Sequence, residues 1–206
     1  MKGKTSCSTK TTEHAQAQRE RILNAAQKCF VERGFHAASM ANISEEAEMS
    51  PGLIYRYFEN KNAIILAIIA RQLQEKRADI AALKSESELS QRIEYLFKRW
   101  CTGDPEVMSA PLFLEMTAEA SRDPQIAEAL RDADAQSRME FGTWLRQRKP
   151  DRSNALDDAE AQWRSLGLQC FVEGLAIRAI LEPDLDPAIL TNSLNKLLPI
   201  LLAEDS

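Results

Sequence analysis

The chain has 206 residues, of which 44% are hydrophobic, 28% charged and only 6% aromatic. That length can bury one sizeable core, or form a small domain joined to a larger one, and the scarcity of aromatic, Gly and Pro residues argues against a β-sandwich or barrel. The four cysteines are scattered without a CxxC pair, and the chain has only two histidines, which together exclude a typical structural zinc site.

The net charge of -5 conceals an asymmetry along the chain. Residues 1–61 contain nine Lys or Arg and seven Asp or Glu, whereas the remainder is strongly acidic. A mildly basic end on an acidic body is typical of proteins that dock one end on phosphates. No apolar run approaches the ~18–20 residues of a membrane span, and the polar start is no secretory signal. We therefore expect a cytoplasmic protein without a membrane partner.

The N-terminal part changes character near residue 19. Residues 1–18 are almost without apolar side chains, so we expect a flexible polar arm, because such a segment cannot offset its ordering entropy. From Arg19 onward, apolar residues recur at three- and four-residue spacing, which predicts an amphipathic helix. Gly34 ends this helix, since glycine tolerates a left-handed C-cap.

Two short helices are predicted next. Ser39 is a suitable N-cap for a helix over residues 40–47. Ser50, followed by Pro51 at the first helical position, predicts another helix over residues 51–57. At under two turns, this helix depends on packing against its neighbours.

The rest of the chain predicts helices throughout. A long helix begins at Lys61, apolar nearly all round at first and polar later, as in a connector between two packed bodies. Asp-Pro pairs and apolar periodicity predict further helices. These cover residues 88–101, 105–121, 124–148, 155–181 and 187–203. Pro111 should kink or split the second of this group.

The two short helices and their preceding helix form a tri-helical helix-turn-helix unit, in which the second short helix enters the major groove of DNA. At Ser50 the start of that helix can hold a phosphate, through its N–H groups and the helix dipole. Gly52 allows close backbone approach, and Arg56 can bind guanine or phosphate. Tyr55 and Tyr57 offer hydroxyls to phosphate oxygens.

The alternative interpretation is that the aromatic residues of this helix belong to the core. Residues two apart on a helix do not share a face, so Tyr55 and Tyr57 cannot both pack inward with Ile54 and Phe58. At least one hydroxyl should therefore be exposed. Lys61, just after the helix, points a flexible charge toward the DNA strand.

Residues 39–61, SMANISEEAEMSPGLIYRYFENK, closely resemble the DNA-binding signature of TetR-family repressors, and residues 22–35 resemble the family's first helix. The resemblance covers about residues 19 to 70. It implies phosphate contacts from Ser39 and Lys61. It also implies a DNA-facing set that comprises Pro51, Gly52, Leu53, Tyr55, Arg56 and Tyr57.

Two residues depart from the family pattern. Glu48 stands where the family usually has a turn glycine, at a cost of ~1 kcal/mol if its φ is positive. Leu53 replaces a common Thr and exchanges a hydrogen-bonding group for an apolar contact, such as one to a thymine methyl.

The last two helices carry broad apolar surfaces that suit a homodimer on a palindromic operator. Two apolar stripes on the segment 155–181 suggest one face for the core and another for a partner. The resemblance implies a four-helix dimer bundle, whereas a larger monomeric core explains the stripes nearly as well without it. The candidate interface residues are Trp163, Leu166, Cys170, Gly174, Ile177, Leu194, Leu197 and Leu201.

The middle helices should surround a small-molecule effector. Candidate pocket residues are Tyr95, Phe97, Trp100, Phe113, Glu115, Met116, Glu119, Trp144 and Phe171. Glu115 and Glu119 lie at i and i+4, and beside aromatic walls they would attract a lipophilic cation. Alternatively, these carboxylates face solvent or pair with Arg92, Arg99 or Arg122.

The expected fold is all-α, with a helix-turn-helix DNA-binding domain over residues 19–61 and a helical ligand-binding and dimerisation domain over residues 62–206. We expect a repressor that a lipophilic effector releases from DNA and that controls a multidrug efflux pump. One alternative is a regulator of lipid or other metabolic genes that responds to a metabolite. A helical interaction protein would not need Ser-Pro-Gly and Tyr-Arg-Tyr on so short a helix. An enzyme is disfavoured, because the sequence has no glycine-rich phosphate loop, metal cluster or Ser/Cys–His pair. We expect no cofactor and no metal.

Overall fold

The computed structural model describes residues 5–104, 107–148 and 156–202. Within these ranges the chain forms nine α-helices and no strand, which confirms the all-α fold with an N-terminal helix-turn-helix. The helices are α1 (Thr5–Arg33), α2 (Met40–Glu46), α3 (Pro51–Tyr57), α4 (Lys61–Ala82), α5 (Glu86–Thr102), α6 (Ala110–Ala120), α7 (Pro124–Arg148), α8 (Asp158–Leu181) and α9 (Pro187–Leu202).

Most helix bounds lie within two residues of those expected from the sequence, and two differences have clear causes. The expected start of α6 at residue 105 lies outside the described residues, and the helix begins at Ala110. Pro111 therefore falls in the first turn, where a missing N–H breaks no helical bond, so the expected kink does not form.

The arm expected over residues 1–18 is helical from Thr5 onward, and residues 1–4 lie outside the described part. Extending an existing helix costs much less than nucleating one, so a polar segment can continue α1. Gln16 and Glu20 support this extension through a side-chain hydrogen bond of 2.7 Å at i and i+4.

The chain divides into two compact units, Met1–Ile69 with Glu115–Ala127 (unit 1) and Ala70–Leu114 with Glu128–Ser206 (unit 2). Three helices, α4, α6 and α7, are shared between them. The observed division differs from a boundary at residue 61, because the first half of α4 packs into unit 1 through isoleucines. These buried residues are Ile64, Ile65, Ile68 and Ile69.

Each unit has its own core. In unit 1 the largest fully buried side chains include Ile22, Phe30, Ile43, Ile54 and Ile64 from the first four helices, together with Met116 of α6 and Ile126 of α7. In unit 2 a cluster from α5, α7, α8 and α9 includes Phe97, Phe141, Trp144, Leu168 and Leu194. The described part contains neither a helix long and apolar enough to cross a membrane nor a group of three metal-ligating side chains.

Candidate DNA-binding interface

The first short helix, α2, begins with a reciprocal cap. The Ser39 hydroxyl accepts a hydrogen bond from the Asn42 backbone N–H at 3.1 Å, and the Asn42 side-chain oxygen accepts one from the Ser39 N–H at 3.0 Å. This capping box fixes the start of α2 and leaves Ser39 exposed.

The turn from α2 to α3 adopts the expected left-handed conformation at Glu48, with φ of 50°. The buried Ser44 hydroxyl spans the turn and donates to the Met49 carbonyl at 2.5 Å, while the Met49 N–H donates to the Ser44 carbonyl at 3.0 Å. The exposed Glu48 carboxylate lies 2.9 Å from Arg21. Hydrogen bonds around the turn therefore compensate a residue that the backbone disfavours.

The second short helix, α3, is capped and anchored as expected. The Ser50 hydroxyl accepts a hydrogen bond from the Leu53 N–H at 3.3 Å, and Pro51 occupies the first helical position. Ile54 is buried within the helix, and the buried Phe58 closes its end. Two apolar anchors and a cap hold a helix that is too short to be stable alone.

The opposite face of α3 is open. Pro51, Gly52, Tyr55 and Arg56 are exposed, and 55% of the Tyr55 surface is accessible. Apart from its chain neighbours and the backbone of its own helix, no atom lies within 4 Å of a Cβ built on Gly52, so another molecule can approach the backbone closely. Leu53 and Tyr57 are half-buried at the sides of this face. The exposed hydroxyl that the sequence required is that of Tyr55.

Lys61 differs from the flexible charge expected from the sequence. Its ammonium donates to the carbonyl oxygens of Phe35, at 2.7 Å, and His36, at 3.2 Å, and lies 4.8 Å from the Phe35 ring centre. Burial lowers the pKa of Lys61, an effect that the carboxylate of Glu119 partly offsets. Two of the three N–H donors are therefore engaged with the turn after α1, and its phosphate contact stays a prediction.

The structure gives Glu115 and Glu119 partners in the turn after α1, which the sequence did not suggest. Glu115 accepts a hydrogen bond from the Phe35 backbone N–H at 3.0 Å. Glu119 is only 5% exposed and lies 3.0 Å from His36 Nε2 and 3.9 Å from Arg122. Of the three arginines considered as alternatives, Arg122 is thus a neighbour of Glu119. Both carboxylates contact residues of unit 1, and Met116, also assigned to the pocket from the sequence, is buried in that unit.

The other six residues of the expected effector pocket belong to unit 2. Phe97 and Trp144 are part of its core, and Trp100 and Phe171 pack against that core. Phe113 is half-buried. Tyr95 is largely exposed, with the guanidinium groups of Arg92 and Arg99 over its ring. The role of these six pocket residues in ligand binding stays a prediction.

An open groove of about 510 Å³ in unit 2 contains none of the expected pocket residues. It lies beside the start of α5 and the middle of α9. Hydroxyl, amide and carboxylate side chains line most of it, and two leucines complete it. The lining residues are Ser85, Glu86, Ser87, Ser90, Gln91, Leu194, Asn195 and Leu198.

Helix α8 has the two apolar faces that its sequence predicts. The stripe that contains Leu168, Leu175 and Ala179 is buried in unit 2. The other stripe is exposed, including Trp163 at 48% and Leu166 at 49%. The same stripe continues through Cys170, Gly174 and Ile177, of which Cys170 and Ile177 are exposed and Gly174 is half-buried.

The expected interface on α9 needs one correction. Leu194 is fully buried in unit 2 and cannot contact a second chain, because α9 fills the core at i, i+4 spacing through Leu190, Leu194, Leu198 and Leu202. Leu201 is half-buried, and its side chain lies 2.7 Å from a Cβ built on Gly167. Leu197 is exposed, together with two residues that are not among the candidate interface residues, Ile189 and Ile200.

This protein is a DNA-binding transcriptional regulator. Its helix-turn-helix presents a capped recognition helix, α3, whose polar face is exposed. Residues 22–68 match bacterial regulatory proteins of the tetR family, and residues 89–199 match the C-terminal region of BetI-type transcriptional repressors. The chain belongs to the TetR family of bacterial transcriptional regulators.

Bacterial regulators with similar sequences agree with this assignment. The regulator UidR of Escherichia coli K12 is 37% identical over 119 residues, which span 57% of this chain and 59% of UidR, less than two thirds of its length. The regulator BetI of Rhizobium meliloti is 28% identical over 169 residues, or 80% of this chain and 79% of BetI.

Solved structures share the fold. Salmonella enterica GusR has a TM-score of 0.75 at 24% identity and covers 91% of this chain and 96% of its own. The regulator FadR of Bacillus subtilis, solved in complex with stearoyl-CoA, has a TM-score of 0.66 at 16% identity over 91% of this chain and 99% of its own.

Proposed function

We propose that this protein is a dimeric repressor that reads a palindromic operator through α3 and is released from it by a small metabolite. The observation that carries the proposal is the exposed Tyr55 and Arg56 on a helix whose other face is anchored by Ile54 and Phe58. A guanidinium on a rigid, exposed helix suits recognition of guanine in the major groove.

A second copy of the chain fits the exposed face of α8 and α9. One short helix reads few base pairs, and helix-turn-helix proteins commonly bind two half-sites about one DNA turn apart. Trp163, Leu166 and Ile177 leave an apolar stripe on α8, and Leu197 and Ile200 add apolar surface on α9. Burying these side chains would remove from water the apolar area that a stable dimer requires.

A metabolite is a better effector than a lipophilic cation. The argument for a cation rested on the carboxylates of Glu115 and Glu119, which contact the turn after α1 in unit 1. The remaining pocket candidates in unit 2 are mostly aromatic and apolar. The relatives also favour metabolic control, since FadR of Bacillus halodurans is described as a fatty acid degradation regulator. Control of an efflux pump is therefore the weaker alternative.

Release follows if the effector favours a dimer whose two α3 helices no longer match the half-site spacing. The helix α4 extends from unit 1 into unit 2 and provides a continuous connection for such a change. A coupling of ~1–3 kcal/mol between the two sites would give graded derepression.

The proposal is tested by fluorescence anisotropy of the protein against duplex DNA from upstream of its own gene, with a scrambled duplex as control and a salt series. We expect tight binding to the native duplex that weakens steeply with salt. Stearoyl-CoA and a lipophilic quaternary ammonium are then added separately to the complex. Equal weak binding to both duplexes contradicts operator recognition, and release by the ammonium alone contradicts the metabolite.

A further inference from the structure

Three side chains of unit 1 contact the turn between α1 and α2, residues 34–38. Glu115 accepts a hydrogen bond from its Phe35 N–H, and Lys61 donates to its Phe35 and His36 carbonyl oxygens. Glu119 lies 3.0 Å from the His36 ring nitrogen. Two of these three side chains, Glu115 and Glu119, belong to the second half of α6, which is far from the turn in sequence.

The backbone of this turn suits a carboxylate at close range. Gly34 has φ of +76°, and a Cβ built there would lie 3.6 Å from Glu115 Oε2. The carboxylate thus lies beside the glycine at ordinary contact distance and accepts the N–H of the next residue. This contact gives a charge-assisted hydrogen bond, which is stronger than one between neutral groups.

Glu119 is a buried carboxylate with polar and charged neighbours in unit 1. Besides His36, its neighbours include Arg122, at 3.9 Å, and the Lys61 ammonium, for which the Glu119 charge partly offsets the lowering of the pKa by burial. A buried carboxylate without such neighbours would be costly, so Glu119 favours one arrangement of the turn and the start of α4.

The turn leads directly into the DNA-facing helices. The Ala38 N–H donates to the Gly34 carbonyl at 3.1 Å, and the next residue, Ser39, caps α2. A displacement of the turn would therefore move the start of α2, and with it the α2–α3 pair that presents Tyr55 and Arg56.

We propose that Glu115 and Glu119 are positioning residues for operator binding, which hold the α1–α2 turn and Lys61 in the arrangement that DNA recognition requires. They touch no DNA and act through Phe35, His36 and Lys61. This inference rests on the proposed operator binding, and it gives the end of α6 a part in DNA affinity although that helix begins in unit 2.

The test measures the affinity of variants for the native and scrambled duplexes, together with their thermal unfolding. Glu115→Ala is expected to weaken operator binding about tenfold. Glu115→Gln keeps an oxygen that accepts the Phe35 N–H and is expected to restore most of that loss. Glu128→Gln removes a similar charge from an exposed position of α7 and serves as the control.

A double-mutant cycle tests Glu119. His36 is 68% exposed at its side chain, so His36→Gln should fold normally. We expect His36→Gln and Glu119→Gln each to weaken operator binding about fivefold. The double variant should lose little more, because both changes alter the same contact between His36 and Glu119. Binding to the scrambled duplex should change less, since phosphate contacts tolerate a shift of α3 better than base contacts.

The outcomes separate the two proposals. A wild-type protein without preference for the native duplex refutes the proposed function itself. If the wild type prefers the native duplex, and all three variants keep that preference within twofold, only the positioning role is overturned. These variants are Glu115→Ala, Glu119→Gln and His36→Gln. If Glu115→Ala does not fold, the cycle between His36 and Glu119 decides. Equal losses for both duplexes, with a lower unfolding temperature, indicate a purely structural role and also overturn the inference.

Discussion

Two helices of this protein, α3 and α8, each bury one face and leave the other exposed, but the exposed faces differ in chemistry. On α3 the exposed residues include Gly52, Tyr55 and Arg56, which offer hydrogen bonds and close backbone approach. On α8 they include Trp163 and Leu166, which offer apolar area. Hydrogen-bonding groups on a short rigid helix suit a polyanion, whereas an apolar stripe on a long helix suits another protein surface.

The two helices also differ in what holds them. The seven residues of α3 depend on the Ser50 cap, the turn at Glu48 and two buried anchors, whereas the 24 residues of α8 contribute a full stripe to the core of unit 2. Changes at the exposed face of either helix should therefore alter binding, while changes at the cap and turn of α3 should alter folding.

The largest effect is expected from a charge on the exposed face of α8. Leu166→Glu would bury an unpaired carboxylate in a dimer and weaken association by about 3 kcal/mol or more. Light scattering at a series of concentrations measures the dissociation, and operator affinity should fall with it. Met139→Glu is the matched control, because Met139 is 64% exposed on α7. A Leu166→Glu dimer as stable as that of the control variant would exclude this face.

On α3 the corresponding change removes a hydrogen-bonding group. Arg56→Ala should weaken operator binding by about 1–3 kcal/mol and leave the dimer intact. Arg131→Ala removes the same charge from an exposed position of α7 and should change affinity far less. Anisotropy titrations of both variants provide the comparison. Similar small losses in the two would mean that Arg56 acts only through net charge.

The cap of α3 should affect folding in addition to the phosphate contact expected at Ser50. Ser50→Ala removes the acceptor of the Leu53 N–H and should lower the free energy of unfolding by about 1 kcal/mol. Urea unfolding followed by circular dichroism measures this change. Ser50→Asn keeps a capping oxygen and should restore stability. A destabilised Asn variant would show that the hydroxyl has another role.

The smallest effect is expected at the turn. Glu48→Gly relieves the left-handed strain but loses the exposed ion pair with Arg21, for a net gain in the free energy of unfolding of about 0.5 kcal/mol. Arg21→Ala removes the ion pair alone and separates the two contributions in the same urea experiment. A loss of stability in Glu48→Gly would mean that the lost ion pair and the added freedom of the unfolded chain outweigh the relieved strain.

Local signals predicted much of unit 1. The caps at Ser39 and Ser50 and the C-cap at Gly34 follow from rules that act within a few residues, and the structure has all three. The positive φ at Glu48 was indicated only by the resemblance, which places a turn glycine at this position. The alternation of apolar stripes likewise predicted that α8 has two faces.

Contacts between distant residues could not be predicted in this way. Glu115 and Phe35 are 80 positions apart, and nothing near Glu115 indicates that its partner is a backbone N–H rather than a ligand. The apolar surface of α9 is so broad that its pattern does not distinguish the buried Leu194 from the exposed Leu197. Only the packing of α9 on its neighbours decides which residues face the core.

The central claim is that the exposed face of α3 contacts DNA and that of α8 contacts a second chain. The number of chains bound to one duplex tests this claim most directly. Native mass spectrometry of the protein with the duplex from upstream of its gene should show two chains on one duplex, and Leu166→Glu should reduce this species. One chain per duplex with unchanged affinity in Leu166→Glu would contradict the account, because operator binding would then require no second copy.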